Sequence, residues 1–184
     1  MDSIVRLNDF ESVPDVQSLL NEYMILYTRY NANFINLRKP ANSDDLFGVH
    51  YGADSLFNRK TMQYIKQQSE FVEWCSFMQT LPHLRQLCDR VSKYIDDNYQ
   101  MKLGRVRLLT LNQKTNLRYH TDHDSSIRLH VPLITNRRIF FVIDDIVERM
   151  PDVGALYRLE VQKEHTVVNA SHQDRVHLVF DLYK

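Results

Sequence analysis

Several things are nearly missing from this chain. Glycine occurs four times in 184 residues, at Gly48, Gly52, Gly104 and Gly154, and serves as punctuation. There are two cysteines, Cys75 and Cys88, in stretches of helical pattern and without CxxC spacing or a nearby histidine. They make no disulfide framework and read as buried, inert thiols in a reducing, cytoplasmic setting. Net charge is absent too: 23 Lys and Arg balance 23 Asp and Glu, which gives no field to gather nucleic acid or acidic lipid. No apolar run approaches the roughly 20 residues that span a bilayer. The start, MDSIVRLNDFESV, lacks the basic segment and apolar stretch of a secretory signal. Repeats and low-complexity tracts are absent, and the sequence carries no signal of oligomeric state.

What remains is ordinary globular material, 43% hydrophobic and 25% charged, long enough for one domain with a real core. Its periodicity changes near Gly104. Residues 1–103 read as a mainly helical region. Pro14 suits a first helical turn, and Val16, Leu19, Leu20 and Tyr23 follow at helical spacing. A second helix is expected over Thr61–Met78, with Ile65, Val72 and Phe77 apolar, and a third from Pro82 with Leu84, Leu87, Val91 and Ile95 on one face. Between the first two lies NSDDLFGVHYGADS, a long loop whose His50 and Tyr51 either close over a substrate or simply sit at the surface.

Residues 104–184 carry RVRLLTL, IRLHVPLI, RIFFVID, ALYRLEV, HTVVN and RVHLVFDLY, short runs rich in β-branched and aromatic residues. Only DDIVERM between them offers a turn or two of helix. Successive strands without crossover helices predict an antiparallel sandwich or barrel. The fold class is therefore α+β, an all-β core with the helices packed outside it, the whole forming one compact domain.

Six of the eight histidines fall in this β half: His120, His123, His130, His165, His172 and His177. Strand residues two apart share a face, so His120 with Asp122, Arg128 with His130, and Arg175 with His177 each point together. Burying such pairs on apolar strands is costly unless they bind something. A His-x-Asp pair with a distant histidine is the ligand set of a facial triad on non-haem Fe(II). His165, opening HTVVN, is the best distant ligand and is expected across a closed sheet from His120. His-x-Asp alone is a weak signal, since short His–Asp pairs more often belong to solvated turns.

The order of elements is far more specific. His120-Thr-Asp122, then Arg128-Leu-His130-Val-Pro-Leu-Ile-Thr-Asn136, Gly154, His165-Thr-Val-Val-Asn169 and Arg175-Val-His177-Leu-Val-Phe-Asp181 resemble the aspartyl/asparaginyl β-hydroxylase family, including its bacterial proline-hydroxylase-like members. The resemblance covers about the last eighty residues. It implies a double-stranded β-helix core and dependence on Fe(II), 2-oxoglutarate and O2, with oxidative decarboxylation of the cosubstrate driving hydroxylation. It also implies that His120, Asp122 and His165 hold the metal, although some animal members have glycine at the position of Asp122. Arg175 would hold the distal carboxylate of 2-oxoglutarate, and Arg128 with His130 would line the cosubstrate or substrate side. The substrate class implied is a small amino acid or an amino-acid side chain in a peptide.

Asn169, four residues from His165, is expected to support the metal ligands through a hydrogen bond. His177 is expected either to line the pocket or merely to pack, while His172, His123 and Asp124 belong to turns. Trp74 with Phe71 and Phe77 is expected to pack helix against barrel. Two other readings compete with a hydroxylase. One is a non-catalytic β-helix binding module. The other is a cupin-type metalloenzyme without 2-oxoglutarate, in which His123 or His130 joins the metal.

Overall fold

The computed structural model describes residues 3–43, 57–58, 63–64, 68–122 and 127–184. His50, Tyr51, His123 and Asp124 lie outside the described residues, as do Ile65 and most of the expected loop.

Helix α1 runs Val16–Tyr30. Its N-cap is Asp15, whose carboxylate accepts from the Ser18 N–H, so Pro14 precedes the helix rather than opening it. Asn31 ends it in the left-handed conformation. Helix α2 runs Pro82–Asn98 and buries Leu84, Leu87, Cys88, Val91 and Ile95, the face that the spacing predicted. Its first turn is capped from outside: Glu22 of α1, itself buried, accepts from the backbone N–H groups of His83 at 3.0 Å and Leu84 at 2.7 Å. One carboxylate thus satisfies two orphan donors and locks the helices together.

Among the described residues fourteen strands accompany these helices: β1 (Ile4–Arg6), β2 (Phe34–Asn36), β3 (Arg38–Pro40), β4 (Phe57–Asn58), β5 (Gln63–Tyr64), β6 (Phe71–Trp74), β7 (Lys102–Leu111), β8 (Thr115–Asn116), β9 (Ile127–Ile134), β10 (Ile139–Ile143), β11 (Ile146–Glu148), β12 (Tyr157–Leu159), β13 (His165–Asn169) and β14 (Arg175–Tyr183). A six-stranded sheet has the order β1-β12-β9-β14-β7-β2, and a four-stranded sheet the order β11-β10-β13-β8. These are the two sheets of a double-stranded β-helix, antiparallel throughout. β1 and β2 come from the N-terminal region, which thereby supplies border strands to the main sheet as well as helices.

Two expectations are corrected. Within Thr61–Met78 the described residues form β5, β6 and short 3-10 turns rather than a helix. β6 pairs with β3, Arg38 opposite Trp74, and the Cys75 N–H reaches Leu37 O at 3.0 Å, so sheet pairing overrides helical spacing. Accordingly Val72 is exposed while Phe71 is buried. DDIVERM forms no helix either. Asp144 and Asp145 both have positive φ (47° and 63°) and join β10 to β11 with Ile143 opposite Ile146, as the tight turn of a hairpin.

The three central strands, β9, β14 and β7, have two faces of opposite character. Leu129, Val131 and Leu133, Val176, Leu178, Phe180 and Leu182, and Val106 and Leu108 join the helices in the main hydrophobic core. The residues between them carry Arg128 and His130, Arg175, His177 and Asp181, and Arg105 and Arg107, all buried. This second face looks toward the four-stranded sheet, where the His130 ring lies 6.0 Å from Phe141 and the Arg175 guanidinium 5.2 Å from it. One glycine is structurally required here: Gly154 has φ +77°, and a Cβ there would stand 3.0 Å from Val13 O.

Candidate active site

His120 and His165 are direct neighbours. The chain from Thr115 to Asp122 runs antiparallel to β13 and beyond it, with His120 N–H to His165 O at 3.0 Å and the return bond at 2.8 Å. The expectation that they face each other across a closed sheet is therefore corrected: the two rings are 4.4 Å apart on adjacent chain segments. Asp122 follows, its N–H bonded to Val161 O at 3.0 Å. The potential ligand atoms of His120, Asp122 and His165 all lie within 4.8 Å of one another, with His120 Nε2 3.9 Å from Asp122 Oδ1 and His165 Nε2 3.7 Å from Oδ2.

Both imidazoles are fixed in the same way. His120 Nδ1 lies 2.7 Å from Arg118 O, and His165 Nδ1 lies 2.8 Å from Lys163 O. A carbonyl only accepts, so each Nδ1 carries a proton and donates it, and each Nε2 is turned toward Asp122. That is the state a metal-binding histidine needs. Burial lowers the His165 pKa, which favours the neutral ring. Burial works to raise the Asp122 pKa, but the Arg128 and Arg107 guanidiniums outweigh it and hold the carboxylate ionised. Two imidazoles and one carboxylate on a shared centre are a donor set that fits a hard-to-borderline divalent cation such as Fe(II).

Arg128 Nη1 is 2.5 Å from Asp122 Oδ2 and its Nε 2.5 Å from Asp181 Oδ1. Asp181, fully buried, also receives Arg105 Nε at 3.1 Å and Arg107 Nη2 at 3.0 Å. Burial would raise its pKa, yet these arginines hold it far below the usual carboxylate range. Asp181, Arg105 and Arg107 were not singled out from the sequence as site residues. The signal was present, since Arg-x-Arg and a lone Asp inside apolar strands are as costly as the His and Arg pairs that were noticed.

Arg175 differs from these. Among the described residues no carboxylate lies within ion-pair distance of it; its Nη2 instead donates to His177 Nδ1 at 2.8 Å, and its Nε is buried without a partner. Burial, with the charge of Arg128, pushes the Arg175 pKa down to about 9, still charged at neutral pH. His130 Nδ1 lies 3.3 Å from His177 Nδ1, and burial with the nearby arginines keeps both rings neutral. His130 is thus part of the arginine layer and not of the metal-ligand cluster. Asn169 is fully buried, with its amide bonded to Leu111 O, Asn112 O and Gln173 O and its carbonyl taken by Ser171. It pins the ends of β7 and β13 and supports no metal ligand, contrary to expectation. His172 is exposed.

Comparison with known proteins agrees with this architecture. The prolyl hydroxylase from Trichoplax adhaerens, solved with a hypoxia inducible factor peptide fragment, superposes with a TM-score of 0.60 at 12% identity, over 98% of this chain and 83% of that one. EctD from S. alaskensis, solved with 2-oxoglutarate and 5-hydroxyectoine, gives 0.53 at 14% identity over 98% and 72%. An oxidoreductase of the 2OG-Fe(II) oxygenase family from Burkholderia pseudomallei matches at 16% identity and a TM-score of 0.45, over 55% of this chain, which spans only 56% of that protein. The first two likenesses establish the fold. No curated protein sequence matches significantly. The sequence model for aspartyl/asparaginyl beta-hydroxylase matches residues 48–184, which reaches well upstream of the eighty residues that carried the resemblance. The chain belongs to the aspartyl/asparaginyl β-hydroxylase family.

Proposed function

We propose that this protein hydroxylates a free amino acid or an amino-acid side chain in a peptide, with His120, Asp122 and His165 holding Fe(II) and Arg175 holding the distal carboxylate of 2-oxoglutarate. The observation that carries the reading is the matched orientation of the two rings: Arg118 O and Lys163 O each hold an Nδ1, so that both Nε2 atoms meet at Asp122. The bound metal and cosubstrate supply the oxygen activation and insertion chemistry. The protein's contribution is geometry and charge. Arg175, a buried cation without a carboxylate partner, suits one end of a dicarboxylate through its planar fork. His177 orients that fork by accepting from Nη2. Arg128 adds positive potential close enough to bear on Arg175, and His130 lines the same layer.

One of the similar structures holds a peptide fragment and another the small molecule 5-hydroxyectoine, which supports the breadth of the substrate class. Two free, buried cysteines support a reducing, cytoplasmic location, and no helix among the described residues is long and apolar enough to cross a membrane. The test is an anaerobic titration with Fe(II) and 2-oxoglutarate, followed by an aerobic screen of free amino acids and peptides for succinate and a mass gain of one oxygen. A weak visible charge-transfer band and coupled turnover are expected. No band and no succinate with any substrate would overturn the reading.

A further inference from the structure

The proposed metal site uses Asp122, which follows His120 beyond the last ladder pair and whose backbone, among the described residues, makes one hydrogen bond, from its N–H to Val161 O. What fixes its side chain comes from the other sheet. β9, β14 and β7 are adjacent, and Asp181 stands opposite Arg128 in the β14–β9 register. On its other side Asp181 falls in a register shift between Phe180 and Leu182, which turns it toward Arg105 and Arg107. A fully buried carboxylate therefore receives three arginines, and one of these, Arg128, reaches on to Asp122 Oδ2.

We propose that Arg128 and Asp181 are positioning residues that brace Asp122 across the two sheets, with Asp181 anchoring the Arg128 fork so that its Nη1 engages Oδ2 and leaves Oδ1 as the oxygen offered to the metal. This rests on the reading of His120, Asp122 and His165 as metal ligands and adds to it a role for two residues outside that set. Buried ion pairs rarely stabilise a fold enough to explain themselves, because desolvation offsets much of their attraction. Here the geometry gives the arrangement a use. A guanidinium has separate donors at fixed angles, so it can hold one carboxylate by reference to another, whereas an ammonium is a single point charge.

The charge of Arg128 alone would repel a cation, so removing it would mix two opposing effects. The informative variants keep a positive charge beside Asp122. Arg128→Lys retains charge but not the two-carboxylate span, and Asp181→Asn retains Arg128 but weakens its anchor. Co(II), a spectroscopic stand-in for Fe(II), is titrated anaerobically into the full chain in the presence of 2-oxoglutarate, with affinity and visible d–d absorption both read. Arg128→Lys is expected to weaken Co(II) binding by about 10–100-fold and to change the band shape. Asp181→Asn is expected to do the same, and to add little when combined with Arg128→Lys.

Wild-type affinity and an unchanged spectrum in folded Arg128→Lys would overturn the brace, even if substrate turnover fell, because the arginine would then act on a ligand instead of on Asp122. If Asp181→Asn fails to fold, Arg128→Lys alone decides. Failure of the metal-site reading looks different: wild type and His165→Ala would then be equally unable to bind Co(II).

Discussion

The His120–Asp122–His165 cluster and the arginine layer lie side by side yet are organised on opposite plans. His120 and His165 take their orientation from carbonyls two residues back in their own chain, Arg118 and Lys163. Arg105, Arg107 and Arg128 take theirs from Asp181, reached only when three distant strands align. The cluster is also partly open, with the His120 side chain 32% exposed, whereas Asp181 is 0% exposed. Local orientation makes the metal ligands replaceable without disturbing the fold. Orientation across strands makes the arginine layer part of the fold. The same contrast separates two kinds of failure: loss of chemistry on one side, loss of structure on the other.

The sharpest test of this contrast is His165→Ala. Metal-dependent succinate formation is expected to fall by more than about a hundredfold, since the loss of a ligand exceeds the usual cost of losing its support. Near-UV circular dichroism should keep its folded signature, because among the described residues the histidine's side chain hydrogen-bonds only to Lys163 O. Surviving turnover would remove His165 from the ligand set. Asp181→Ala should show the reverse pattern. Three buried arginines would lose their common counter-ion, at a cost of about 3–5 kcal/mol in urea denaturation. The exposed Lys93–Asp97 pair is the control, and Lys93→Ala should leave the urea midpoint almost unchanged. A loss as small as the control's would show that the arginines are neutralised some other way.

The same division explains what was legible in the sequence. β9, β13 and β14 were read with the bounds they have, because their apolar runs and turn-like borders are local signals. α2 was read correctly from Pro82 and its spaced leucines. β6 was misread as helix because its identity depends on β3, some thirty residues away, and spacing records nothing of that pairing. His120, Asp122 and His165 were legible because a His-x-Asp pair and a strand-opening histidine are short patterns. That they would be neighbours on adjacent segments was not, since register is a property of two strands. Asp181 was quoted as part of a motif, but its role as a hub needs Arg105 and Arg107 beside it, and no spacing within one strand encodes that.

Arg175→Lys separates the two regions within catalysis itself. A lysine keeps the charge but loses the fork that His177 orients, so the KM for 2-oxoglutarate is expected to rise by about tenfold or more, from the weakening of a charge-assisted hydrogen bond. Co(II) affinity without cosubstrate should stay within about twofold of wild type, a small fraction of one hydrogen bond. A large loss of metal affinity in this variant would mean that the arginine layer and the metal cluster are one unit, and the contrast would fail.

A further effect is the pH dependence of stability that the arginine layer imposes. His130 and His177 are buried among Arg175, Arg128 and Arg107, with Asp181 as the nearby acid and Phe141 facing them from the other sheet. Their folded pKa values lie well below the ordinary 6.5, through burial first and then through the arginine charges. Below about pH 6.5 the unfolded chain therefore binds protons at these positions that the folded chain refuses. The folded state loses about 1.4 kcal/mol per pH unit for each ring as pH falls from there toward the folded values. Asp181 works in a lower window, since its depressed folded pKa keeps its contribution intact until pH falls below about 4, where the unfolded carboxylate takes up its proton. Urea midpoints should thus be level from pH 8 to 7 and decline between pH 6.5 and 5. In His177→Phe the slope over that interval should be roughly halved, even if the variant starts from a lower stability. An unchanged slope would place the proton uptake on other histidines and leave the arginine layer without its predicted pH signature.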